Sequence, residues 1–145
     1  MCGRFAQIRE EEELMKSLSV HHCEVSVETS YNIAPGADIS IIHQQDGRRV
    51  LDSRRWGLIP FWAKEGGRGM INARSETVSE KPSFRHAFSK RRCLIPSSGF
   101  YEWEKTENGK QAWFISGKHQ PLAVSYTHLR AHETDSYLVC RLLLE

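Results

Sequence analysis

The chain has 145 residues, a length typical of one domain with a single hydrophobic core. Its hydrophobic (39%) and charged (26%) fractions are those of ordinary globular proteins, and its formal net charge of +2 is weak evidence for a nucleic-acid partner. No apolar run approaches the ~18 residues that a membrane span needs, and no apolar region follows Arg4 and Arg9 as in a secretory signal. We therefore expect a cytoplasmic protein without a membrane partner.

The elements predicted for the first half of the chain come from local periodicity and turn residues. Apolar residues at Leu14, Met15 and Leu18 among strong helix formers predict the only helix of this half. The predictions in chain order are a helix over 9–18, an irregular segment over 19–31, a turn over 31–36, a strand over 39–43, a hairpin turn over 45–48 and a strand over 49–57.

The second half is predicted to hold more strands than helices. In chain order we expect a glycine-rich loop over 66–69, a segment over 70–76, a helix over 84–88, a buried strand over 93–96 that ends at its proline, a strand over 99–104, a hairpin turn at 108–109 and a strand over 112–115. Many short strands with two or three helices are typical of a β-rich α+β domain. Neither repeats nor a long linker divide the chain.

The cysteines point to chemistry at the N-terminus and not to a metal. The four of them are scattered without a C-x-x-C pair, so we expect neither a zinc site, a disulfide framework nor a cofactor. Removal of Met1 would leave Cys2 as the first residue, with an amine and a thiol on adjacent carbons that are both reactive near neutral pH. An aldehyde can form a Schiff base with the nitrogen of such a pair and close a five-membered thiazolidine through the sulfur.

Basic clusters lie among aromatic residues. Cations that contact phosphates and rings that stack on bases are what a single nucleic-acid strand needs. Solvated arginines beside core aromatics explain the composition equally well. The clusters are Arg48-Arg49, Arg54-Arg55 and Lys90-Arg91-Arg92, and the aromatic residues are Trp56, Trp62, Phe84 and Phe88.

Three further polar residues have suggestive neighbours. Alternation along a strand places Tyr101 and Trp103 on one face and Glu102 on the other, where an apolar pocket would suit it to proton shuttling. An ordinary surface glutamate explains this segment as well. On a strand, Asn72 and Arg74 would project together, an amide able to orient a substrate oxygen beside a cation able to grip a phosphate.

Six motifs in order resemble the SRAP-domain proteins, the SOS-response-associated peptidases or abasic-site processing proteins. They are Met-Cys-Gly-Arg-Phe at 1–5, Tyr-Asn-Ile-Ala-Pro-Gly at 31–36, Arg-Trp-Gly-Leu-Ile-Pro at 55–60, Ile-Asn-Ala-Arg-Ser-Glu-Thr at 71–77, Arg-Cys-Leu-Ile-Pro at 92–96 and Gly-Phe-Tyr-Glu-Trp at 99–103. The resemblance implies a β-rich fold and a positively charged cleft for single-stranded DNA. It also implies a covalent link between the mature N-terminal cysteine and the ring-opened aldehyde of an abasic site.

The resemblance implies roles for individual residues. It makes Cys2 the nucleophile, Asn72 the residue that positions the sugar and Glu102 the acid/base group, used in adduct formation and in self-removal of Met1. The residues that it implies for DNA binding are Arg4, Trp56 and Arg74, together with Asn32 and Pro35 in the loop bordering the cleft. We expect a monomer whose partner is single-stranded DNA containing abasic sites, nucleoid-associated in a bacterium or nuclear in a eukaryote.

The chain departs from the family pattern in two places. Pro82 occupies a position that is often basic, so one phosphate contact is lost or passes to Lys81 or Arg85. The pattern ends near Val124, before the His-x-Arg-Met-Pro-type motif whose histidine completes the family's active site. We therefore expect an incomplete domain over 1–124 and a non-family tail over 125–145, and we assign no role to His128 within that tail.

Two other functions stay open. N-terminal-nucleophile glutamine amidotransferases also begin Met-Cys-Gly, although their glutamine-binding motifs are not found here. A fragment that binds single strands without chemistry is the non-enzymatic alternative, and it would bind intact and abasic strands equally well without forming an adduct.

Overall fold

The computed structural model describes residues 3–60, 62–63 and 69–117, and the backbone pairing of residues 122–123. This part of the chain contains nine strands and two helices: β1 (Phe5–Gln7), α1 (Glu11–Ser17), β2 (His22–Cys23), β3 (Ser30–Ile33), β4 (Asp38–Gln45), β5 (Arg48–Arg55), α2 (Pro82–Lys90), β6 (Pro96–Ser97), β7 (Gly99–Thr106), β8 (Gly109–Ile115) and β9 (Leu122–Ala123). The predicted β-rich α+β class is confirmed. Neither described helix has the length and apolarity to cross a bilayer.

The first sheet carries the N-terminal strand at its centre. Its order is β3-β1-β7-β8, and Phe5 pairs with Ile33 on one side and with Phe100 on the other, both antiparallel. All three residues of β1 are buried, and the Gln7 amide is satisfied because Nε2 donates to the Arg9 carbonyl over 3.1 Å. Strand β1 is therefore held between two neighbouring strands.

The second sheet has the order β2-β5-β4 and is built on a tight hairpin. Asp46 (φ 49°) and Gly47 (φ 77°) both have positive φ, as a two-residue turn with the twist of its strands requires. The predicted turn over 45–48 is confirmed. The prediction of an irregular segment over 19–31 is wrong in two places. Strand β2 lies within it and pairs in parallel with β5, and β3 already begins at Ser30.

Two local predictions on the remaining elements are confirmed and one is not. The predicted helix over 84–88 lies within α2, where Pro82 stands in the first turn and sacrifices no hydrogen bond. The predicted strands over 99–104 and 112–115 form the β7–β8 hairpin. The buried strand predicted for 93–96 is reduced to one bridge between Leu94 and Ile42, and Pro96 begins β6 instead of ending a strand.

The turn predicted for 31–36 is shorter, because its first residues belong to β3. Ala34–Ala37 forms a turn closed by the Ala37 N–H, which donates to the Ala34 carbonyl over 3.2 Å. Pro35 supplies the fixed φ of the second position and Gly36, at φ 88°, the left-handed third position. The turn docks onto the core, since the Gly36 N–H donates to the Trp56 carbonyl over 2.8 Å.

No strand is present at residues 71–74, so the prediction that Asn72 and Arg74 project together from one strand is wrong. A single bridge between Leu58 and Met70 precedes this segment, at a point where Gly57 and Gly69 pass so closely that a Cβ on Gly69 would lie 2.7 Å from backbone. The chain then turns away from strand geometry. Asn72 is half-buried, whereas Arg74 is exposed.

Candidate active site

The segments that carry the candidate residues are anchored in one apolar cluster. Its buried members are Phe5, Ile39, Ile41, Trp56, Cys93, Ile95 and Phe100, and Ile33 and Ile71 pack against it. Arg4, Asn32 and Asn72 each lie beside a residue of this cluster in sequence, and Glu102 follows Phe100 by two positions. The fold therefore gathers four segments that are far apart in the chain around a common core.

Three hydrogen bonds join the strands at the N-terminal end of β1. Arg4 Nη1 donates to Asn32 Oδ1 over 2.9 Å, and the Arg4 carbonyl accepts from the Tyr101 N–H over 2.9 Å. The Tyr101 hydroxyl donates to the Tyr31 carbonyl over 2.8 Å. Residues of β1, β3 and β7 thus form a bonded group in which Arg4 and Asn32, both predicted to border DNA, are in contact.

Glu102 lies on the face of β7 that the alternation predicted. Tyr101 packs with Trp103 (centroids 6.4 Å apart) and with Phe114 (5.0 Å) on the other face. Glu102 shares its own face with the buried Phe100 and is half-buried. A carboxyl at the margin of the core, on the strand bonded to Arg4, is well placed to exchange protons with a bound substrate.

The segment that contains Asn72 is tied to the core through the neighbouring residue, Ile71. The carbonyl of Ile71 accepts from Trp56 Nε1 over 3.1 Å, which ties this segment to the core although it belongs to no strand. Because Trp56 is itself 4% exposed, this anchor is rigid. The structure thus holds Asn72 beside the core, whereas Arg74 extends from an exposed turn.

Trp56 is not a stacking surface, contrary to the expectation of a ring that contacts DNA. Its indole is buried and packs edge-on against Phe5 with centroids 5.5 Å apart. Trp62, which sequence reasoning noted only as a neighbour of the basic clusters, is 59% exposed. The local sequence pattern of Trp62 carries no signal of this exposure. Of these two tryptophans, only Trp62 therefore presents its ring to solvent.

The basic residues at 54–55 are not equivalent. Arg54 Nη1 pairs with the buried carboxylate of Asp52 over 2.5 Å, and this pairing compensates its charge. The guanidinium of Arg55 instead lies over the Pro35–Gly36 turn, where Nη2 would be 3.8 Å from a Cβ placed on Gly36. Arg55 thus adds a cation beside the loop that was predicted to border the cleft, although its role was not predicted.

A cavity of about 560 Å³ opens beside Asn32 and the turn that contains Pro35. Its size is that of ordinary ligand pockets. Its lining includes the carboxylates of Glu28 and Asp38, which disfavour a phosphate. The cavity is therefore a poor site for an anion.

The two cysteines that the structure describes are poor nucleophiles. Burial raises the pKa of the Cys93 thiol to about 12, although the charge of Arg54 lowers it in part. Burial also raises the pKa of the Cys23 thiol, whose Sγ donates to the Val25 carbonyl over 2.8 Å. Since the thiolate is the reactive form, neither suits covalent catalysis. The predicted nucleophile Cys2, like His128, lies outside the described residues.

Relatives of this chain carry names that refer to damaged DNA. It is 42% identical over 111 residues to the abasic site processing protein YoqW of Bacillus subtilis, covering 74% of this chain and 50% of that protein. It is 30% identical over 150 residues to the abasic site processing protein YedK of Escherichia coli, covering 96% of this chain and 66% of that protein. The chain spans about half the length of the Bacillus relative.

Solved structures share the fold. A phage-related protein from Bordetella bronchiseptica matches with a TM-score of 0.69 and 27% identity over 97% of this chain and 66% of that one. A protein from Bacteroides thetaiotaomicron matches with a TM-score of 0.70 and 26% identity over 83% of this chain and 56% of that one.

The family model named SOS response associated peptidase (SRAP) matches residues 1–139. This match runs beyond Val124 into residues that the structure does not describe, so the predicted boundary between a domain over 1–124 and a non-family tail stays a prediction. Together with the fold and the six motifs, the match shows that the chain belongs to the SRAP family.

Proposed function

We propose that this chain processes abasic sites in single-stranded DNA and links to them covalently through Cys2, once Met1 has been removed. The observation that carries the proposal is the common core beneath Arg4, Asn32, Asn72 and Glu102. A cation, two amides and a carboxyl from four separate segments thus surround one apolar cluster. Relatives named abasic site processing proteins support the substrate.

The proposed chemistry uses one water and returns one. Hydrolysis of the Met1–Cys2 peptide bond consumes water and releases methionine and the α-amine. The amine adds to the aldehyde of the ring-opened sugar, and the resulting carbinolamine expels water to give an imine. The Cys2 sulfur then adds to the imine carbon while the nitrogen takes a proton, which closes a thiazolidine.

The described residues supply positioning and proton transfer. Glu102 protonates the departing hydroxyl and accepts the proton that the amine loses, as a general acid/base. Asn72 holds a sugar oxygen, and Arg4 and Arg74 contact phosphates on either side of the damaged nucleotide. We infer that the protein acts as a monomer in the compartment that holds the DNA.

Mass spectrometry after incubation with an abasic oligonucleotide tests the proposal. We expect a heat-stable adduct on the N-terminal peptide. Cys2→Ala retains the amine and should form only an imine that borohydride traps, whereas Cys23→Ala, a matched loss of one thiol, should leave the adduct unchanged. An undiminished heat-stable adduct with Cys2→Ala would contradict the thiazolidine. Equal affinity for intact and abasic strands, without any adduct, would favour the non-catalytic alternative.

A further inference from the structure

A second concave surface lies on the other sheet, outside the candidate site. It is a groove of about 410 Å³ between the edge of β4 and the last residues of α2 with the segment that follows them. Its floor is the bridge between Ile42 and Leu94, in which each backbone N–H donates to the other residue's carbonyl, over 2.7 and 2.8 Å. The polar residues that line it are His43, Gln44, Arg49, Ser89, Lys90 and Arg92.

The charged side chains of the described lining are all basic. Arg49 comes from one basic cluster of the sequence, and Lys90 and Arg92 come from another about forty positions later. All three side chains are exposed, and no carboxylate belongs to the described lining. Among the described residues, neither Lys90 nor Arg92 pairs with an acidic side chain within 4.0 Å. The fold therefore concentrates positive charge here that no described carboxylate compensates.

One of the basic lining residues is partly fixed. Arg49 Nη1 donates to the Leu18 carbonyl over 2.6 Å, and this single bond does not use all five N–H groups of the guanidinium. His43 Nε2 lies 3.6 Å from the carboxylate of Asp52 without a hydrogen bond among the described residues. A partly fixed cation loses less side-chain entropy on binding an anion than a mobile one.

The strand edge adds a backbone donor. Because the Ile42 N–H bonds outward to Leu94, the alternation of the antiparallel ladder directs the Gln44 N–H to the same edge. Backbone N–H groups and basic side chains together are the usual partners of phosphate oxygens in protein–nucleic acid complexes. The described lining contains no Phe, Tyr or Trp, so the contacts that it offers are mainly to a sugar–phosphate backbone.

We propose that this groove is a second binding site that takes the phosphodiester backbone of the DNA strand flanking the abasic nucleotide. The proposal rests on the proposed function and extends it, since it assigns part of the affinity to a surface that is separate from the chemistry. The segment from Arg92 to Phe100 connects the groove to the core beneath the candidate site. The eight steps from Arg92 to Phe100 span at most roughly 29 Å even when fully extended, which is within the reach of one bound strand.

The test compares strands of two lengths. A strand of about 5 nucleotides occupies the candidate site alone, whereas one of about 20 exceeds the usual footprint of a single-strand-binding domain and reaches both surfaces. The variant Lys90→Gln/Arg92→Gln should flatten the slope of log K against log salt by about 1.4 on the long strand, which corresponds to roughly 25-fold weaker binding at 0.1 M salt. Its affinity for the short strand should change by less than about twofold.

Lys105→Gln/Lys110→Gln is the matched control. It removes the same charge from a cross-strand pair near the tip of the β7–β8 hairpin, away from both surfaces, and should leave the long-strand slope unchanged. An equal loss in both double variants would show that only net charge matters and would overturn the groove. If the wild type binds the long strand and Lys90→Gln/Arg92→Gln binds it with an unchanged slope, the groove fails while the proposed function stands. A wild type that binds neither strand overturns both.

Discussion

Arg4, just before β1, and Asn32, on the neighbouring edge strand β3, are joined by a hydrogen bond in which the guanidinium donates to the amide oxygen over 2.9 Å. Asparagine accepts this bond without adding charge, so the bond orients the Arg4 guanidinium without cancelling its charge, as a carboxylate would. The pair thus serves a phosphate site better than an ion pair would.

The contact between Arg4 and Asn32 predicts how replacement of the Asn32 amide by a carboxylate changes DNA binding. Asn32→Asp keeps the geometry but places a carboxylate against Arg4, which then competes with phosphate. We expect weaker binding of single-stranded DNA and a salt slope flatter by about 0.7, the value of one phosphate contact. Fluorescence anisotropy across a salt series measures it. Asn32→Ala, which removes the orienting oxygen without adding charge, should keep a slope near that of the wild type; a wild-type slope in Asn32→Asp would refute the assignment.

Sequence patterns located the hairpins because their turn chemistry is local. Asp46-Gly47 forms the turn between β4 and β5, as predicted. The turn between β7 and β8 is Glu107-Asn108, one residue before the predicted pair Asn108-Gly109, because Gly109 already begins β8. Periodicity missed β2, because its two residues are ordered by parallel pairing with β5 and not by their own pattern. The strand predicted at Asn72 is not formed. That segment is held instead by a hydrogen bond from the Trp56 side chain to the Ile71 carbonyl, which no local pattern indicates.

The motifs identified the residues of the candidate site, but they did not show which of these side chains are buried. The resemblance marked the tryptophan of the Arg-Trp-Gly motif for DNA contact, yet exposure depends on what packs around a ring. Trp56 follows β5 directly and fills the core beside Phe5. Nothing in the local pattern of Trp56 distinguishes it from Trp62, so the assignment had to come from tertiary structure.

The two tryptophans should therefore separate binding from stability. Trp62→Ala should weaken single-strand binding by the ~1–3 kcal/mol typical of one stacked base and leave the melting temperature near that of the wild type. Trp56→Ala should instead cost about 3–5 kcal/mol of unfolding free energy, because it empties a core position and removes the bond to Ile71. Anisotropy and urea denaturation measure the two effects. Equal binding losses, with both variants fully folded, would argue against this division.

Glu102→Gln tests proton transfer. The amide keeps the shape of the carboxyl but cannot carry a proton, so adduct formation should slow by about 10²–10⁴ while DNA affinity is retained. More of the purified protein should also keep Met1. Glu104→Gln is the control: Glu104 is exposed on the same face and accepts from Trp113 Nε1 over 3.0 Å, and its loss should leave the rate unchanged. Unchanged kinetics in a Met1-free Glu102→Gln preparation would make Glu102 a surface carboxylate.

Cys93 should be inert in the folded protein. Because burial raises its pKa to about 12 from a reference of 9.0, the neutral thiol predominates at pH 8, and alkylation mapped by mass spectrometry should reach it only after unfolding.

The raised pKa of Cys93 also makes the stability of the protein depend on pH. The folded state holds the Cys93 proton more tightly than the unfolded state does. The contribution of this thiol to the unfolding free energy is therefore complete below pH 9 and is lost as the pH rises toward 12. Cys93→Ala should show a shallower fall of the urea midpoint between pH 9 and 11, and an identical fall would assign the alkaline loss to other groups.

Gly99 allows β7 and β8 to pass in contact, and a single methyl group should disturb the strand that carries Glu102. A Cβ at Gly99 would lie 2.4 Å from Phe114 Cζ and 2.7 Å from the Ile115 carbonyl oxygen. Gly99→Ala should therefore lower the unfolding free energy by about 1–3 kcal/mol, measured by urea denaturation. Phe114→Leu in the same chain relieves the clash with the ring but not the clash with the backbone, so rescue should be partial. Full rescue would show that the ring alone requires glycine, and an unchanged stability of Gly99→Ala would show that the two strands separate at little cost.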